Sequence, residues 1–264
     1  MTDAAVVRPG GARTPRLHVP RVPAEGEPLE LDRTASHRLG EVLRVREGAT
    51  VALFDGAGAE RLARVVATGR RVRLEVGADT AREVESPLAI TLLQGVSRGD
   101  RMDATVRQAT ELGAAAVRPV TTRRVAVRLD EARAAKRLEH WRAVAVSACE
   151  QCGRTRLPEV LEPLALADAL AAHAPGSDLA LQLDPGAPLG LGAALGRAAA
   201  VPGRAPASIA VLIGPESGLD PEEIEAARAA GFEPVRFGPR VLRTETAGPA
   251  VVAVLQARFG DLDS

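Results

Sequence analysis

The chain has 264 residues, of which 46% are hydrophobic and 26% charged, and its formal net charge is zero. This balance is typical of a folded globular protein with a sizeable core. No apolar run reaches the roughly 18 residues that a membrane-spanning helix needs, and residues 1–15 contain no hydrophobic signal core. Composition therefore argues against a membrane protein, and we expect a flexible tail at residues 1–15 and a cytoplasmic location.

Residues 16–85 are predicted to form a small β-rich domain. Ser36–Arg44 has the pattern of a short helix with its serine as N-cap. Residues 49–77 then alternate apolar and polar side chains, and Asp55-Gly56 and Gly69 interrupt them where hairpin turns would join strands. Several short strands with tight turns are typical of a compact barrel.

From residue 86 onward, the pattern is that of strands alternating with helices. Leu88–Val96 is a nearly continuous apolar run, as in a buried parallel strand. A helix is expected from Asp100 to a stop at Gly113, and a long helix over about Asp130–Cys152. Residues 194–208 read as a surface loop. Further strands are expected at Asp178–Asp184, Ser208–Gly214 and Pro234–Gly238, and helices near 164–172, 220–230 and 245–258, the last capped by Thr244 or Thr246. The sequence thus predicts an α/β domain with a mostly parallel sheet.

The two cysteines, Cys149 and Cys152, form a C-x-x-C motif at the end of the long predicted helix. A structural zinc site needs four ligands, and the chain has no third cysteine, while His140 lies nine residues before Cys149. A redox pair normally opens a helix, where the dipole lowers the thiol pKa, and this pair closes one. We therefore expect neither metal nor redox chemistry, but a segment that presents Glu150, Gln151 and Arg154 at a surface.

Two strand–loop–helix units near the C-terminus indicate a binding site. The loop Gly214–Gly218 follows an apolar strand, and Asp220 and Pro221 then have the pattern of an N-cap and a first helical residue. The loop at residues 237–244 follows the next strand in the same way. Each loop alone also fits a tight structural turn, and neither matches a dinucleotide or Walker motif. Because such loops meet at the carboxyl edge of a parallel sheet, together they predict a pocket.

Several segments of the chain resemble the RsmE family, the ribosomal RNA uridine-N3 methyltransferases of the SPOUT class. They are HRLGEVLRVREGATVALFDG, GDRMDATVRQATELG, CEQCGR, IGPESG and FGPRVLRTETA. Ser217 departs from the family, which usually has a second glycine there, and this matters only if the backbone needs a positive φ at that position. The resemblance implies a PUA-like, RNA-binding β-barrel at residues 16–85 and a SPOUT-type, trefoil-knotted α/β domain at residues 86–264.

The resemblance also implies that S-adenosyl-L-methionine is the cofactor and that the partner is 16S ribosomal RNA or the small ribosomal subunit. It further implies a homodimer with sites at the subunit interface, where CEQCGR of one chain completes the pocket of the other. The implied cofactor-binding residues are Leu212, Ile213, Gly214, Glu216, Gly218, Phe237, Gly238, Val241, Leu242, Arg243 and Thr244.

Methylation of uracil N3 requires loss of an imide proton while negative charge develops on O2 and O4. Arg154 and Arg243 are the candidates for stabilising that charge, and Glu216 and Glu245 are weaker candidates for accepting the proton. An equal alternative for Glu245 is a capping role or an ion pair with an arginine. No metal is expected, because the sulfonium of the cofactor already activates the methyl group.

The charge distribution is compatible with RNA binding. Residues 97–160 contain 13 Lys or Arg and 8 Asp or Glu, whereas residues 161–264 contain 7 and 13. A basic face that binds a polyanion and a solvated helix surface both have this composition. The candidate RNA-binding residues are Arg38, Arg44, Arg98, Arg101, Arg123, Arg124, Arg154 and Arg156. Methylation of another RNA position, or RNA binding without catalysis, remains an alternative.

Overall fold

The computed structural model of the protein describes residues 14–124, 131–201 and 205–263. They form two compact units: an N-terminal unit of residues 14–84 with Glu150–Arg156, and a C-terminal unit of the other described residues from 85 to 263. Because Glu150–Arg156 groups with the N-terminal unit, no single boundary in the sequence separates the two units. Residues 1–13 of the predicted tail, Asp130, and residues 202–204 of the predicted loop lie outside the described residues.

The N-terminal unit contains one five-stranded sheet. Its elements are β1 (Arg16–His18), β2 (Pro28–Glu30), α1 (Arg33–His37), a π-helical turn (Arg38–Val42), β3 (Thr50–Phe54), β4 (Glu60–Ala67) and β5 (Arg73–Asp79). The strand order is β1-β3-β4-β5-β2, with β1 parallel to β3 and the other pairs antiparallel. The predicted hairpins between β3, β4 and β5 are therefore confirmed, while closure into a barrel stays a prediction.

The helix after β2 begins earlier than predicted. Asp32 is the N-cap, and its Oδ1 accepts a hydrogen bond from the backbone N–H of Ala35 at 2.7 Å. Ser36 is buried inside α1, where its hydroxyl donates to the Leu31 carbonyl at 3.2 Å and accepts from the Val72 N–H at 2.9 Å. The prediction of Ser36 as N-cap is wrong, because its hydroxyl instead satisfies the sheet backbone beside the helix.

The C-terminal unit alternates strands and helices as predicted. Its elements are β6 (Ala89–Gly95), α2 (Arg101–Glu111), β7 (Ala116–Thr121), α3 (Glu131–Cys152, the last three residues grouping with the N-terminal unit), β8 (Glu159–Val160), β9 (Leu164–Ala165), α4 (Leu166–His173), β10 (Leu179–Leu183), α5 (Leu191–Ala199), β11 (Ser208–Ile213), α6 (Pro221–Ala229), β12 (Glu233–Val235) and α7 (Thr244–Phe259). Gly113 follows α2 with φ +82°, which confirms it as the helix stop.

These strands form a seven-stranded sheet in the order β12-β10-β11-β6-β7-β8, with β9 also paired to β7, and every pair is parallel. The predicted α/β fold with a parallel sheet is thus confirmed. The chain builds β7–β9 on one side of β6 and β10–β12 on the other. Ligands of open α/β proteins bind at the carboxyl ends of strands where the direction of winding reverses.

Helices cover both faces of this sheet. One face packs against α2, α3, α5 and α7 through residues such as Met102, Trp141, Leu195 and Val251. The other face packs against α4 and α6, where Leu170 is buried. Among the described residues, no helix combines the length and the apolarity needed to span a membrane.

The prediction of a loop over residues 194–208 is wrong for its first part. Leu191–Ala199 forms α5, and Leu191, Ala194 and Leu195 are buried. Their spacing of three and four residues places them on one helix face, and alanine favours helix over coil. The low complexity of the segment obscured this pattern.

Candidate functional site

The carboxyl ends of β10, β11 and β12 converge on one cavity of about 610 Å³. Both loops singled out in the sequence line it, so the expected convergence is confirmed. The lining residues expected from the resemblance are Ile213, Gly214, Glu216, Gly218, Phe237, Gly238, Val241, Leu242, Arg243 and Thr244. Leu212 is not among the lining residues. It is fully buried in the core beside α4 and α6, because successive side chains of a strand point to opposite faces.

Two parts of the cavity wall were not anticipated. Gln182–Pro185 lines the cavity at the end of β10, and Arg101 lines it from the first position of α2. The first could have been found from the sequence, since the strand predicted at Asp178–Asp184 ends at the same sheet edge. Arg101 was expected to bind RNA phosphates, and nothing in the sequence places it beside the two C-terminal loops.

The loop after β11 is held by a well-formed helix start. Asp220 caps α6 by accepting from the Glu223 N–H at 2.8 Å, and the Glu223 carboxylate accepts from the Asp220 N–H at 2.9 Å, which completes a capping box with Pro221 as first helical residue. The predicted N-cap and proline position are confirmed. Gly218 has φ +70°, whereas Ser217 is outside the positive-φ region. The departure from a second glycine is therefore compatible with the loop, and the Ser217 hydroxyl donates to the Arg124 carbonyl at 2.8 Å.

The loop after β12 ends at Arg243, which is the N-cap of α7 but makes no side-chain cap hydrogen bond. The prediction that Thr244 or Thr246 caps this helix is wrong. Thr244 is the first helical residue, and its hydroxyl donates to the carbonyl of Gly214 at 2.7 Å and accepts from Nε2 of Gln94 at 2.7 Å. The threonine therefore joins the two loops of the cavity.

Charged groups cluster at the mouth of the cavity around Arg101. Its Nη1 donates to Oε1 of Glu216 at 2.7 Å, and its Nε lies 3.6 Å from Oε1 of Glu245. The hydrogen bond that Arg101 donates to Glu216 and the charge of Glu245 both raise the pKa of Arg101 above its ordinary value. The positively charged guanidinium of Arg101 thus forms ion pairs with both carboxylates.

The two carboxylates differ in what surrounds them. Burial opposes ionisation of Glu216, but hydrogen bonds from the N–H groups of Glu216 and Arg98, together with the Arg101 guanidinium, outweigh it and hold the pKa of Glu216 below its ordinary value. The Arg98 N–H lies 3.0 Å from Oε1 of Glu216. In contrast, Oε2 of Glu245 is buried and accepts no hydrogen bond from the described residues. Glu216 is therefore a weak base, whereas one carboxylate oxygen of Glu245 is buried without a hydrogen-bond donor among the described residues.

The EQCGR segment forms part of the N-terminal unit. Glu150 accepts from the backbone N–H of His18 at 3.1 Å and pairs with Arg38. Arg16, which pairs with the buried Glu60, also donates to the carbonyl of Arg154 at 3.0 Å. Arg154 is 8% exposed, so the expectation that the segment presents this residue at a surface is wrong for the described chain, and Arg154 is not among the residues that line the cavity. The expected catalytic part of Arg154 stays a prediction.

The other candidate RNA-binding arginines are mostly at the surface. Arg44 and Arg156 are exposed in the N-terminal unit, and Arg38 is partly exposed there; in the C-terminal unit Arg98, Arg123 and Arg124 are exposed. Arg123 pairs with Glu222 and lies 3.7 Å from Asp220. RNA binding by these residues stays a prediction.

The cysteine motif forms neither a disulfide nor a metal site within the part of the chain that the structure describes. Cys149 is buried and Cys152 is half-buried. No group of three or more His, Cys, Asp or Glu residues is placed to hold a metal ion among the described residues. The role of the two cysteines stays a prediction.

Comparison with known proteins places this arrangement in a class. A family model described as an RNA methyltransferase domain matches residues 84–256. The ribosomal RNA small subunit methyltransferase E of Synechocystis is 33% identical over 227 residues, which are 84% of this chain and 70% of that protein. The protein of the same name from Mycobacterium bovis is 31% identical over 265 residues, 92% of each chain.

A solved structure is similar over nearly the whole chain. The crystal structure of a ribosomal RNA small subunit methyltransferase E from Neisseria gonorrhoeae, bound to S-adenosyl methionine, has 36% sequence identity and a TM-score of 0.84. The match covers 95% of this chain and 100% of that one. The chain is therefore an RNA methyltransferase by fold and belongs to the ribosomal RNA small subunit methyltransferase E family.

Proposed function

We propose that this protein transfers a methyl group from S-adenosylmethionine to N3 of a uridine in 16S ribosomal RNA. The observation that supports it most is the joining of both C-terminal loops around one cavity, with Arg101, Glu216 and Glu245 at its mouth. Family membership supports RNA methylation as the reaction class, and the names of the relatives support the small ribosomal subunit as the source of the substrate. We expect the reaction in the cytoplasm, where ribosomes assemble.

The residues of the cavity fit S-adenosylmethionine. Its volume of about 610 Å³ lies within the range of roughly 300–1,000 Å³ that is usual for small-molecule sites. Ile213, Phe237 and Leu242 provide apolar walls for an adenine ring. Oε1 of the lining residue Gln182 is buried and accepts no hydrogen bond from the described residues, so it is available to an amino group. When bound, S-adenosylmethionine supplies a methyl group that its sulfonium charge activates.

The residues of the chain then have to accept the N3 proton of uracil and stabilise the negative charge that develops on O2 and O4. We assign proton acceptance from N3 to Glu245, since Glu245 lines the cavity and its Oε2 has no hydrogen-bond donor among the described residues. Glu216 instead orients Arg101, because its Oε1 accepts two hydrogen bonds and its pKa is lowered. Arg243, at the start of α7, remains the candidate for stabilising charge on O2 or O4.

We further propose the domain folds, the homodimer and the RNA-binding residues that the family resemblance implies. A PUA-like barrel in the N-terminal unit and a trefoil knot in the C-terminal unit agree with the strand orders of the two sheets and with the similarity to the Neisseria enzyme. A homodimer would allow the CEQCGR segment of one chain to bring Arg154 to the cavity of the other. The exposed Arg98, Arg124 and Arg156 would then bind RNA phosphates.

The test combines cofactor binding with product mapping. Isothermal calorimetry should detect S-adenosylmethionine binding at micromolar concentrations, and the absence of binding would favour an RNA-binding protein without catalysis. The purified protein is then incubated with small subunits, or with free 16S RNA, from a strain that lacks the gene. Primer extension and nucleoside mass spectrometry should identify 3-methyluridine at one position. Methylation at another atom or in another RNA would refute the proposed target.

A further inference from the structure

Gln94, the residue before the end of β6, is fully buried next to the loop that forms one wall of the cavity. Its Nε2 donates to Oγ1 of Thr244 at 2.7 Å, and this hydroxyl donates to the carbonyl of Gly214 at 2.7 Å. The two hydrogen bonds connect β6, the first turn of α7 and the loop after β11. Gln94 itself is not among the residues that line the cavity.

The direction of these hydrogen bonds follows from the chemistry of the groups. The carbonyl oxygen of Gly214 can only accept, so the Thr244 hydroxyl must give its single proton to it. The hydroxyl oxygen must then accept from Gln94, which orients the amide with its NH₂ group toward Thr244. A donor at position 94 therefore leaves the Thr244 proton to the Gly214 carbonyl, whereas an acceptor at that position would compete for it.

Stability alone does not account for this glutamine. Its Oε1 is buried and accepts no hydrogen bond from the described residues, which is unfavourable compared with an apolar side chain of similar size. The neighbouring backbone nevertheless leaves room for the Gln94 side chain. A Cβ atom at Gly248 would lie 2.8 Å from this oxygen, and one at Gly95 would lie closer than 3.0 Å to the backbone nitrogen of Pro215. The loop and α7 thus approach the end of β6 at two glycines.

We propose that Gln94 is a positioning residue for cofactor binding: through Thr244 it holds the carbonyl of Gly214 and sets the conformation of the cavity wall formed by Gly214–Gly218. The inference rests on the proposed function, since it takes S-adenosylmethionine as the ligand of this cavity. Without the donor of Gln94, the hydroxyl of Thr244 keeps only its hydrogen bond to Gly214, and the Gly214 peptide is held less firmly. Cofactor affinity then decreases although every residue that touches the cofactor is still present.

The experiment measures the dissociation constant of S-adenosylmethionine by calorimetry on the full chain. Gln94→Leu removes the donor, and Thr244→Val removes the hydroxyl with little change in shape. Each should weaken binding by roughly tenfold, as expected for the loss of one hydrogen bond that orders the site. The double variant should be no weaker than either single one, because both break the same connection. Thr244→Ser should restore most of the affinity lost in Thr244→Val.

Gln256 provides a matched control near the other end of α7. It is also a fully buried glutamine, and its Nε2 donates to the carbonyl of Gly113 at 3.0 Å while its Oε1 accepts from the Ser86 hydroxyl at 2.6 Å. Gln256→Leu should lower the thermal stability at least as much as Gln94→Leu. It should leave the dissociation constant of S-adenosylmethionine unchanged, because none of its partners belongs to the cavity.

The outcomes separate this proposal from the proposed function. Wild-type affinity in Gln94→Leu, equal weakening in Gln256→Leu, or effects that multiply in the double variant would each overturn the positioning role. If Gln94→Leu does not fold, Gln94→Met, which keeps the length of the side chain without a donor, takes its place, and wild-type affinity in that variant counts against the proposal. Failure of the wild-type protein to bind S-adenosylmethionine would instead refute the proposed function.

Discussion

Replacing Glu245 by glutamine tests which carboxylate accepts the proton. The side chain keeps its size but loses its basicity, while Arg101 still has an oxygen at the position of Oε1, which lies 3.6 Å from its Nε. General base catalysis typically contributes roughly 10²–10⁴-fold. We therefore expect Glu245→Gln to lower the single-turnover methylation rate about 100-fold or more, with a small effect on the affinity for S-adenosylmethionine.

Glu216→Gln is the matched comparison. Its Oε1 accepts from the Arg98 N–H and from Arg101, and a glutamine oxygen can accept both hydrogen bonds. What is lost is the charge, so we expect a decrease in rate of less than about tenfold. The assay is single-turnover transfer of labelled methyl from S-adenosylmethionine to small-subunit RNA, with saturating cofactor.

The pH dependence gives a second readout for the same pair. In Glu245→Gln the rate should rise continuously with pH, because only uridine that has already lost its N3 proton reacts. Glu216→Gln should keep the wild-type profile. A larger loss in Glu216→Gln than in Glu245→Gln, or an unchanged rate in Glu245→Gln, would refute the assignment of the proton acceptor.

Three further predictions concern stability and the EQCGR segment. Glu223 is 6% exposed, and its carboxylate accepts hydrogen bonds from the backbone N–H groups of Arg123 and Asp220. Glu223→Gln should place an amide donor against one of these N–H donors and lower the free energy of unfolding by about 2 kcal/mol, which corresponds to a decrease of about 4–8 °C in the melting temperature. The control Glu222→Gln, at an exposed position, should change the melting temperature little. Because the pKa of Glu216 is lowered in the folded state, its ionised form stabilises the fold at pH values above the ordinary carboxyl pKa of 4.5. This contribution is lost as the pH falls through the pKa that Glu216 has in the folded state. Glu216→Gln should therefore flatten the acid side of a curve of unfolding free energy against pH, and an unchanged curve would contradict this prediction. Arg154→Ala should abolish methylation in a protein that calorimetry shows to be folded, while Cys152→Ser should retain most of the methylation activity. The reverse result would favour a metal or redox role for the C-x-x-C motif.

The cavity loops illustrate what local sequence is able to predict. Asp220, Pro221 and Glu223 are neighbours in the chain, and their capping pattern depends on backbone groups within one helical turn. The apolar strand before Gly214 is likewise visible in a few consecutive residues. The predicted strand before Gly214, the Asp220 N-cap and the position of Pro221 were therefore confirmed.

Side chains with two possible partners were predicted less well. Ser36 and Thr244 both have the composition of N-caps, but each hydroxyl instead bonds to backbone from a distant part of the chain. A hydroxyl that can cap its own helix can equally satisfy a neighbouring strand or loop, and sequence spacing does not rank the two. The alanine-rich residues 194–199 of α5 posed a different problem, since such a sequence is compatible with both helix and loop.

Sequence analysis alone predicted the α/β class, the parallel sheet, the two C-terminal loops and the family, because each depends on apolar runs, turn residues and motifs that stand together in the chain. It did not predict that Arg101 and Gln182 line the same cavity, that Gln94 donates to Thr244 beside it, or that Glu150–Arg156 groups with the N-terminal unit. These contacts join residues far apart in the sequence, and their pairing is set by strand order and packing, which no local pattern records.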